Sequence, residues 1–169
     1  MKYAVDSGAS EIVVRARSTM HDTTTSWTKL TGTVHAEPAR LVETARASID
    51  VDMRSFDAGD WLRNRKLKKD LAVDRYNRAV FELSELRDLT METDEKFQAT
   101  AHGSILWHDR TVSVSITGCG TITANSISAT GKFELNVTNF GIKPPKFLMF
   151  KVEEEVLVEI TLSAYADPG

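Results

Sequence analysis

Residues 45–81 decide the fold, and they read ARASIDVDMRSFDAGDWLRNRKLKKDLAVDRYNRAVF. From Ala45 to Met53, apolar side chains occupy every second position, and charged or polar side chains lie between them. Successive side chains of a strand point to opposite faces, so this period of two predicts a strand with one face on a core and the other in water.

The alternation breaks into turn residues at 55–60, where Asp57 or Asp60 can cap a short helix that begins at Trp61. A second strand is predicted to begin near Ala79. Between the two strands lies a helical plug that carries a tryptophan and five cations, namely Arg63, Arg65, Lys66, Lys68 and Lys69.

The order of these features resembles the YceI-like family, bacterial lipocalin-like proteins that hold polyisoprenoid lipids. That family has a Ser-x-x-Thr/Ala-Gly turn, an Arg-Asp-x-His-Leu segment and a Tyr-Pro-x-Ala-x-Phe strand entry. The matching segments here are SFDAG at 55–59, RNRKL at 63–67 and YNRAVF at 76–81. Asn64, Lys66 and Asn77 replace the family's Asp, His and Pro, so the family's head-group contacts cannot be carried over to these three positions.

Most of the remaining chain also alternates with period two, and the last strand, at 156–162, is the clearest. Many short strands and one helix predict an all-β fold, an antiparallel barrel or sandwich, and a barrel removes the edges that an open sheet would expose. We therefore expect one domain over residues 1–169, an antiparallel eight-stranded lipocalin-like barrel with one short helix at its mouth. Residues 21–26 are predicted to be a loop or a solvated strand, and the glycines around Cys119 are predicted to interrupt a strand.

Composition limits the classes of function. The net charge of -3 gives no reason to expect a nucleic-acid partner. Cys119 is the only cysteine, so no intrachain disulfide can form. The N-terminus lacks the apolar region of a signal peptide, and no run reaches the ~20 apolar residues of a spanning helix. These features predict a cytoplasmic protein.

Catalytic patterns are missing from the sequence. There is no Gly-x-Ser-x-Gly elbow and no phosphate-binding glycine loop. His102 and His108 can meet across a hairpin, but without a placed carboxylate they are expected to be surface residues rather than a metal site. Asp50 and Asp52 lie beside arginines and are expected to form a charge ladder on the water side. We therefore predict a protein that is not an enzyme and needs neither cofactor nor metal.

Small residues expected to point inward would leave the barrel partly hollow; they are Ala45, Ala47, Ala79 and Ala164. Alternation alone favours a filled core, whereas the family resemblance favours a cavity for a long apolar ligand. We predict that the lipid contacts Phe56, Trp61, Leu62, Leu67, Phe81, Trp107, Phe133, Phe140, Phe147 and Met149.

The cations of the helix allow three interpretations. They can form an ordinary solvated face, they can pair with a phosphate head group through Arg63, Arg65 and Lys66, or they can contact an anionic membrane. The resemblance implies storage or transport of a polyisoprenoid, an isoprenoid quinone or a similar long-chain lipid. Two alternatives stay open: an isomerase or cyclase acting on a bound lipid, and a homodimeric interaction module whose apolar rim at 144–150 is the partner surface.

Overall fold

The computed structural model describes residues 1–18, 22–143, 146–147 and 150–168, with side chains described except at 18, 146, 147 and 150–152. Within these ranges the strands are β1 (Lys2–Val5), β2 (Glu11–Ser18), β3 (Thr23–Trp27), β4 (Leu30–His35), β5 (Arg46–Asp52), β6 (Phe56–Asp57), β7 (Arg78–Met91), β8 (Lys96–Trp107), β9 (Arg110–Ile122), β10 (Ser126–Asn136), β11 (Lys146–Phe147) and β12 (Phe150–Ala166). The α-helices are α1 (Leu41–Thr44) and α2 (Trp61–Asp70).

The strands close into an eight-stranded antiparallel barrel, as predicted. The ring runs β1-β4-β5-β7-β8-β9-β10-β12, and pairing of β12 with β1 closes it. The 17-residue β12 is long enough to pair with β1 near one end and with β2 further along. Because the ring is closed, it has no edge strand with unpaired backbone groups. The alternating strands therefore satisfy their backbone hydrogen bonds within the ring.

The wall continues toward one end of the barrel through a second set of pairings. In this set β12 pairs with β2, β2 with β3, and β3 with β6. Strands β2, β3 and β6 are shorter than β7, β8 and β9, which run along the whole wall. Helix α2 follows β6 and leads into β7 at this end, which we call the helix end. Leu67 of α2 and Leu71, which directly follows the helix, belong to the same buried cluster as Trp27 and Met53.

The opposite end of the barrel is sealed by a separate buried cluster. Tyr3 is fully buried there, and its hydroxyl donates a hydrogen bond to the carbonyl oxygen of Thr123 at 2.6 Å. Leu41 of α1 is buried in this cluster together with Ile122 and Ile127. A third cluster, around Phe133, lies on the wall formed by β9, β10 and β12. The core is therefore divided among the two ends and one wall.

Two predictions about local structure were wrong. Strand β9 is not interrupted near Cys119, because the flanking glycines allow β9 and β10 to approach closely. A Cβ on Gly118 would lie 2.7 Å from the carbonyl oxygen of Thr130. Strand β3 is not solvated either, since Thr23 and Thr25 are buried.

The helices also differ in detail from the prediction. Helix α2 spans ten residues, and the Asp60 carboxylate caps it by accepting from the Arg63 backbone N–H at 2.9 Å. The single turn α1, which follows a turn that begins at Pro38, has no signal in the alternation pattern. No helix in the described ranges is both long and apolar enough to cross a membrane.

Candidate functional site

The barrel encloses a cavity of about 370 Å³. This volume falls within the roughly 300–1,000 Å³ that is typical of small-ligand sites. The lining is almost entirely apolar and extends from Ala36 and Leu41 at the sealed end to Leu67 and Leu71 of the helix end. A site of this shape suits a long apolar molecule lying along the barrel axis.

The interior is hollow because three neighbouring strands present small residues to it. Ala99 of β8 is paired with Gly118 of β9, which in turn is paired with Gly131 of β10. All three line the cavity, as do Ala101 and Ala129 on the same strands. Side chains of this size cannot reach the barrel axis, so the opposite wall has nothing to pack against at this level.

Most polar lining residues lie toward the helix end, whereas Cys119 of β9 and Thr130 of β10 border the cavity but have exposed side chains. Thr23 and Thr25 come from β3, Glu153 from the beginning of β12 and Arg63 from α2. Among the described lining residues, Arg63 and Glu153 are the only charged ones. The Arg63 guanidinium lies 3.5 Å from the Asp60 carboxylate. The cavity therefore has one polar end and a long apolar body.

Half of the ten residues predicted to contact lipid line the cavity: Leu67, Phe81, Trp107, Phe133 and Phe140. The rings at the helix end are held in place by polar and aromatic contacts. The Trp107 indole N–H donates to the Tyr76 carbonyl at 2.9 Å, and its ring lies 5.6 Å from that of Phe140. These contacts fix the shape of the cavity before any ligand enters.

Trp61 and Leu62 lie outside the cavity, which corrects their predicted position. Helix α2 turns Arg63 and Leu67 toward the interior, and Leu71 just after its end follows at the same spacing of four residues. Trp61 and Leu62 consequently lie on the solvent face, with exposed fractions of 71% and 55%.

Phe56, Arg65 and Lys66 also lie away from the cavity lining. Phe56 and Arg65 line a second hollow of about 380 Å³ on the outside of the barrel, between α2 and the segment that contains Arg54. Lys66 pairs with Asp70 at 3.1 Å. Of the three predicted head-group residues, Arg63 alone reaches the interior in the described structure. The predictions for the Phe147 side chain and for Met149 fall outside the described side chains.

Several lining residues were missed from the sequence. Trp27 and Met53 line the cavity, and the Trp27 indole N–H donates to the Met53 carbonyl at 3.3 Å. Phe97 and Leu86 line the cavity near the sealed end. Each lies in a strand or beside one, and the period-two pattern could have identified them once the inward face of that strand was known.

The groups considered for catalysis are far apart or face outward. The His102 imidazole contacts Ser115 at 2.9 Å, whereas the His108 imidazole contacts the Leu71 carbonyl oxygen at 2.8 Å. Asp52 pairs with Arg54 at 3.2 Å, which agrees with the predicted charge ladder, whereas Asp50 pairs with Arg78 of the neighbouring strand at 2.6 Å. In the residues that the structure describes, no three His, Cys, Asp or Glu side chains are grouped so that they could hold a metal ion.

The chain resembles a known domain family in sequence and several solved structures in fold. The sequence profile of the YceI-like domain matches residues 3–164. A search of curated protein sequences gives no significant match. Among solved structures, BcnA of Burkholderia cenocepacia is 20% identical with a TM-score of 0.76, over 94% of this chain and 98% of that one.

Two other solved structures share the fold. A polyisoprenoid binding domain from Saccharophagus degradans, implicated in plant cell wall breakdown, is 14% identical with a TM-score of 0.75 over 98% of each chain. The YCEI protein of Campylobacter jejuni is 12% identical with a TM-score of 0.63, over 85% of this chain and 84% of that one. At such identities these likenesses concern the fold alone, but the profile match covers nearly the whole sequence. The chain therefore belongs to the YceI-like domain family.

Proposed function

We propose that this protein binds an isoprenoid or a similar long-chain lipid in its barrel cavity, for storage or transport and without catalysis. The observation that carries the proposal is the apolar cavity, which runs from the sealed end to a polar helix end. The polyisoprenoid binding domain of Saccharophagus degradans, which has the same fold, supports the choice of ligand class.

Burial of apolar carbon supplies the binding free energy. Each CH₂ group moved from water into such a site contributes roughly 0.8 kcal/mol. The pre-formed wall limits the ordering that binding requires of the protein. Several isoprene units therefore bind without a polar anchor, and the apolar lining selects for length and shape rather than for a particular polar group.

Arg63 is the residue that we propose for a charged head group. It combines a place in the cavity lining with partial exposure at the helix end, next to Asp60. A guanidinium can form paired hydrogen bonds to a phosphate. We expect Arg63→Gln to weaken binding of an isoprenyl phosphate and to leave binding of the matching neutral alcohol unchanged.

Arg65→Gln is the matched control for this experiment. Arg65 follows Arg63 by two residues in the same helix, but it lines the external hollow instead of the cavity. Equal losses for the phosphate and the alcohol would mean that Arg63 only shapes the cavity. Unchanged affinity for both ligands would remove Arg63 from the head-group site.

Native mass spectrometry of the protein purified from its own host, followed by solvent extraction, tests the ligand class. A co-purifying isoprenoid or other long-chain lipid supports the proposal. Release of a chemically altered lipid after incubation would instead favour an isomerase or cyclase in the same cavity. Recovery of the protein without any lipid, together with no uptake of isoprenoid from detergent solution, would contradict lipid binding.

A further inference from the structure

The solvent face of α2 carries large apolar side chains among cations. Trp61 and Leu62 are the most exposed large apolar residues of the helix end, and they lie in the first turn of α2. The Arg65 guanidinium lies over the Trp61 ring, 5.5 Å from its centroid, and Lys69 is exposed one turn further along. Tryptophan and leucine beside Lys and Arg are typical of helices that lie in the membrane interface.

The charge of this region is opposite to that of the whole protein. Residues 54–75 contain seven Lys or Arg and four Asp, a net charge of +3, whereas the whole chain carries -3. The rest of the chain therefore carries -6. Positive charge concentrated in one segment of an acidic protein complements an anionic lipid surface.

The carboxylates near α2 do not neutralise its outward face. Asp60 pairs with Arg63 beside the cavity, and Asp70 pairs with Lys66. Asp74 pairs with Lys68 at 3.6 Å along the external hollow. No ion pair joins Arg65 or Lys69 to a carboxylate in the described part of the chain, so both remain available to lipid phosphates.

We infer that α2 docks the barrel on an anionic bilayer, with Trp61 and Leu62 entering the head-group region and Arg65 and Lys69 contacting lipid phosphates. The inner face of the same helix contributes Arg63 to the polar end of the cavity. Docking therefore brings that end next to the bilayer. The inference rests on the proposed function for its purpose, which is transfer of lipid between membrane and barrel.

Trp61 makes the docking directly measurable. Of the chain's three tryptophans, all within the described ranges, Trp27 and Trp107 are buried and Trp61 alone is exposed. Trp27 and Trp107 line the cavity, where a lipid chain could also quench them. The part of the quenching by brominated phospholipids that is lost in Trp61→Phe therefore reports contact of Trp61 with the bilayer. We expect quenching and co-sedimentation with vesicles of equal parts phosphatidylcholine and phosphatidylglycerol. Neither signal should appear with pure phosphatidylcholine, and high salt should reduce both.

Charge and apolar contributions can be removed separately. Arg65→Gln with Lys69→Gln should lower partitioning into the anionic vesicles about 30-fold, because each cation near such a surface contributes about fivefold. The matched control, Lys96→Gln with Lys132→Gln, removes two exposed cations from β8 and β10 and should change partitioning little.

The apolar variant is Trp61→Ser with Leu62→Ser, and we expect it to abolish stable docking. Its control is Val42→Ser with Met91→Ser, which removes two exposed apolar side chains from the sealed end. Equal vesicle binding by the Trp61→Ser, Leu62→Ser variant and by its control would overturn the inference. So would a concentration-dependent dimer that requires Trp61 and forms without vesicles, because the face would then belong to a second copy of the chain.

Failure of docking and failure of lipid binding can be told apart. Uptake of isoprenoid from detergent solution by the unchanged chain tests the cavity without any bilayer. Uptake without vesicle binding would overturn docking alone. Vesicle binding without uptake would leave α2 as a membrane anchor and contradict the carrier function.

Discussion

Replacement of Ala99 by phenylalanine tests whether the barrel is hollow. Ala99 points into the cavity from β8, opposite Gly118 and next to the strand that carries Gly131. A benzyl group there enters the space left by the two glycines. The variant adds apolar volume to the interior without removing a hydrogen bond from the wall.

In a hollow barrel the new ring is buried in empty space. Burial of a phenylalanine side chain stabilises by roughly 1.5–3 kcal/mol, and loss of rotamer freedom offsets up to about 1 kcal/mol of this. We therefore expect Ala99→Phe to raise the free energy of unfolding by about 1–2 kcal/mol. That corresponds to roughly 2–8 °C in Tm for a chain of this size. In a filled interior, overpacking would instead cost about 1–3 kcal/mol.

The same ring displaces ligand carbon. Six added carbons exclude a similar number of lipid carbons, worth up to about 5 kcal/mol at ~0.8 kcal/mol each. Affinity for a long-chain isoprenoid should therefore fall by as much as about 3,000-fold. A gain of stability together with a loss of lipid binding would show that the new ring occupies space that is empty in the native barrel.

Thr117→Phe is the matched control, because Thr117 precedes Gly118 on β9 and its side chain faces the exposed outer surface. It should change stability by no more than about 0.5 kcal/mol and leave lipid uptake intact. Urea unfolding and uptake of a fluorescent isoprenoid measure the two properties. A destabilised Ala99→Phe variant that still takes up lipid would refute the hollow-barrel argument.

The remaining predictions concern the sealed end and the anchor of α2. Tyr3→Phe removes the hydroxyl that donates to the Thr123 carbonyl, so we expect a loss of about 1–2 kcal/mol in urea unfolding; an unchanged midpoint would contradict this. Burial raises the pKa of Tyr3, so the stability that this residue contributes below pH ~10 is lost as the pH rises through its folded value. The difference in alkaline stability between the native chain and Tyr3→Phe should therefore shrink, and a constant difference would contradict the raised pKa. Asp57 behaves oppositely, because hydrogen bonds from the Gly59 backbone and then from the Asn64 side chain lower its pKa. Its contribution is present above about pH 4 and is lost as the pH falls through the lowered pKa. Asp57→Asn should lack this part of the acid transition, and superimposable acid unfolding curves would count against it.

Alternation identified the strands because a barrel wall has one face in the core and one in water. The period of two predicted β5 and β7 close to their observed positions, and it identified residues 156–162 within the longer β12. It misread the region of Cys119, since glycines usually mark breaks in a strand. Here they allow β9 and β10 to approach closely while leaving the cavity open. Both glycines serve strand pairing, and Gly118 also lines the cavity, a double role that composition could not reveal.

Alternation along the sequence by itself determined the all-β class and the apolar character of one face of each strand, whereas closure into a barrel depends on the pairing of β12 with β1. The family resemblance, also read from the sequence, indicated the kind of ligand. Only the tertiary structure decided which residues face the cavity around α2, because the orientation of a short helix depends on what its buried face packs against. Leu67 and Leu71 pack inward, and this turns Trp61 and Leu62 out to solvent. The pairing of Ala99, Gly118 and Gly131 likewise depends on the registers of β8, β9 and β10, which are contacts between residues distant in the chain.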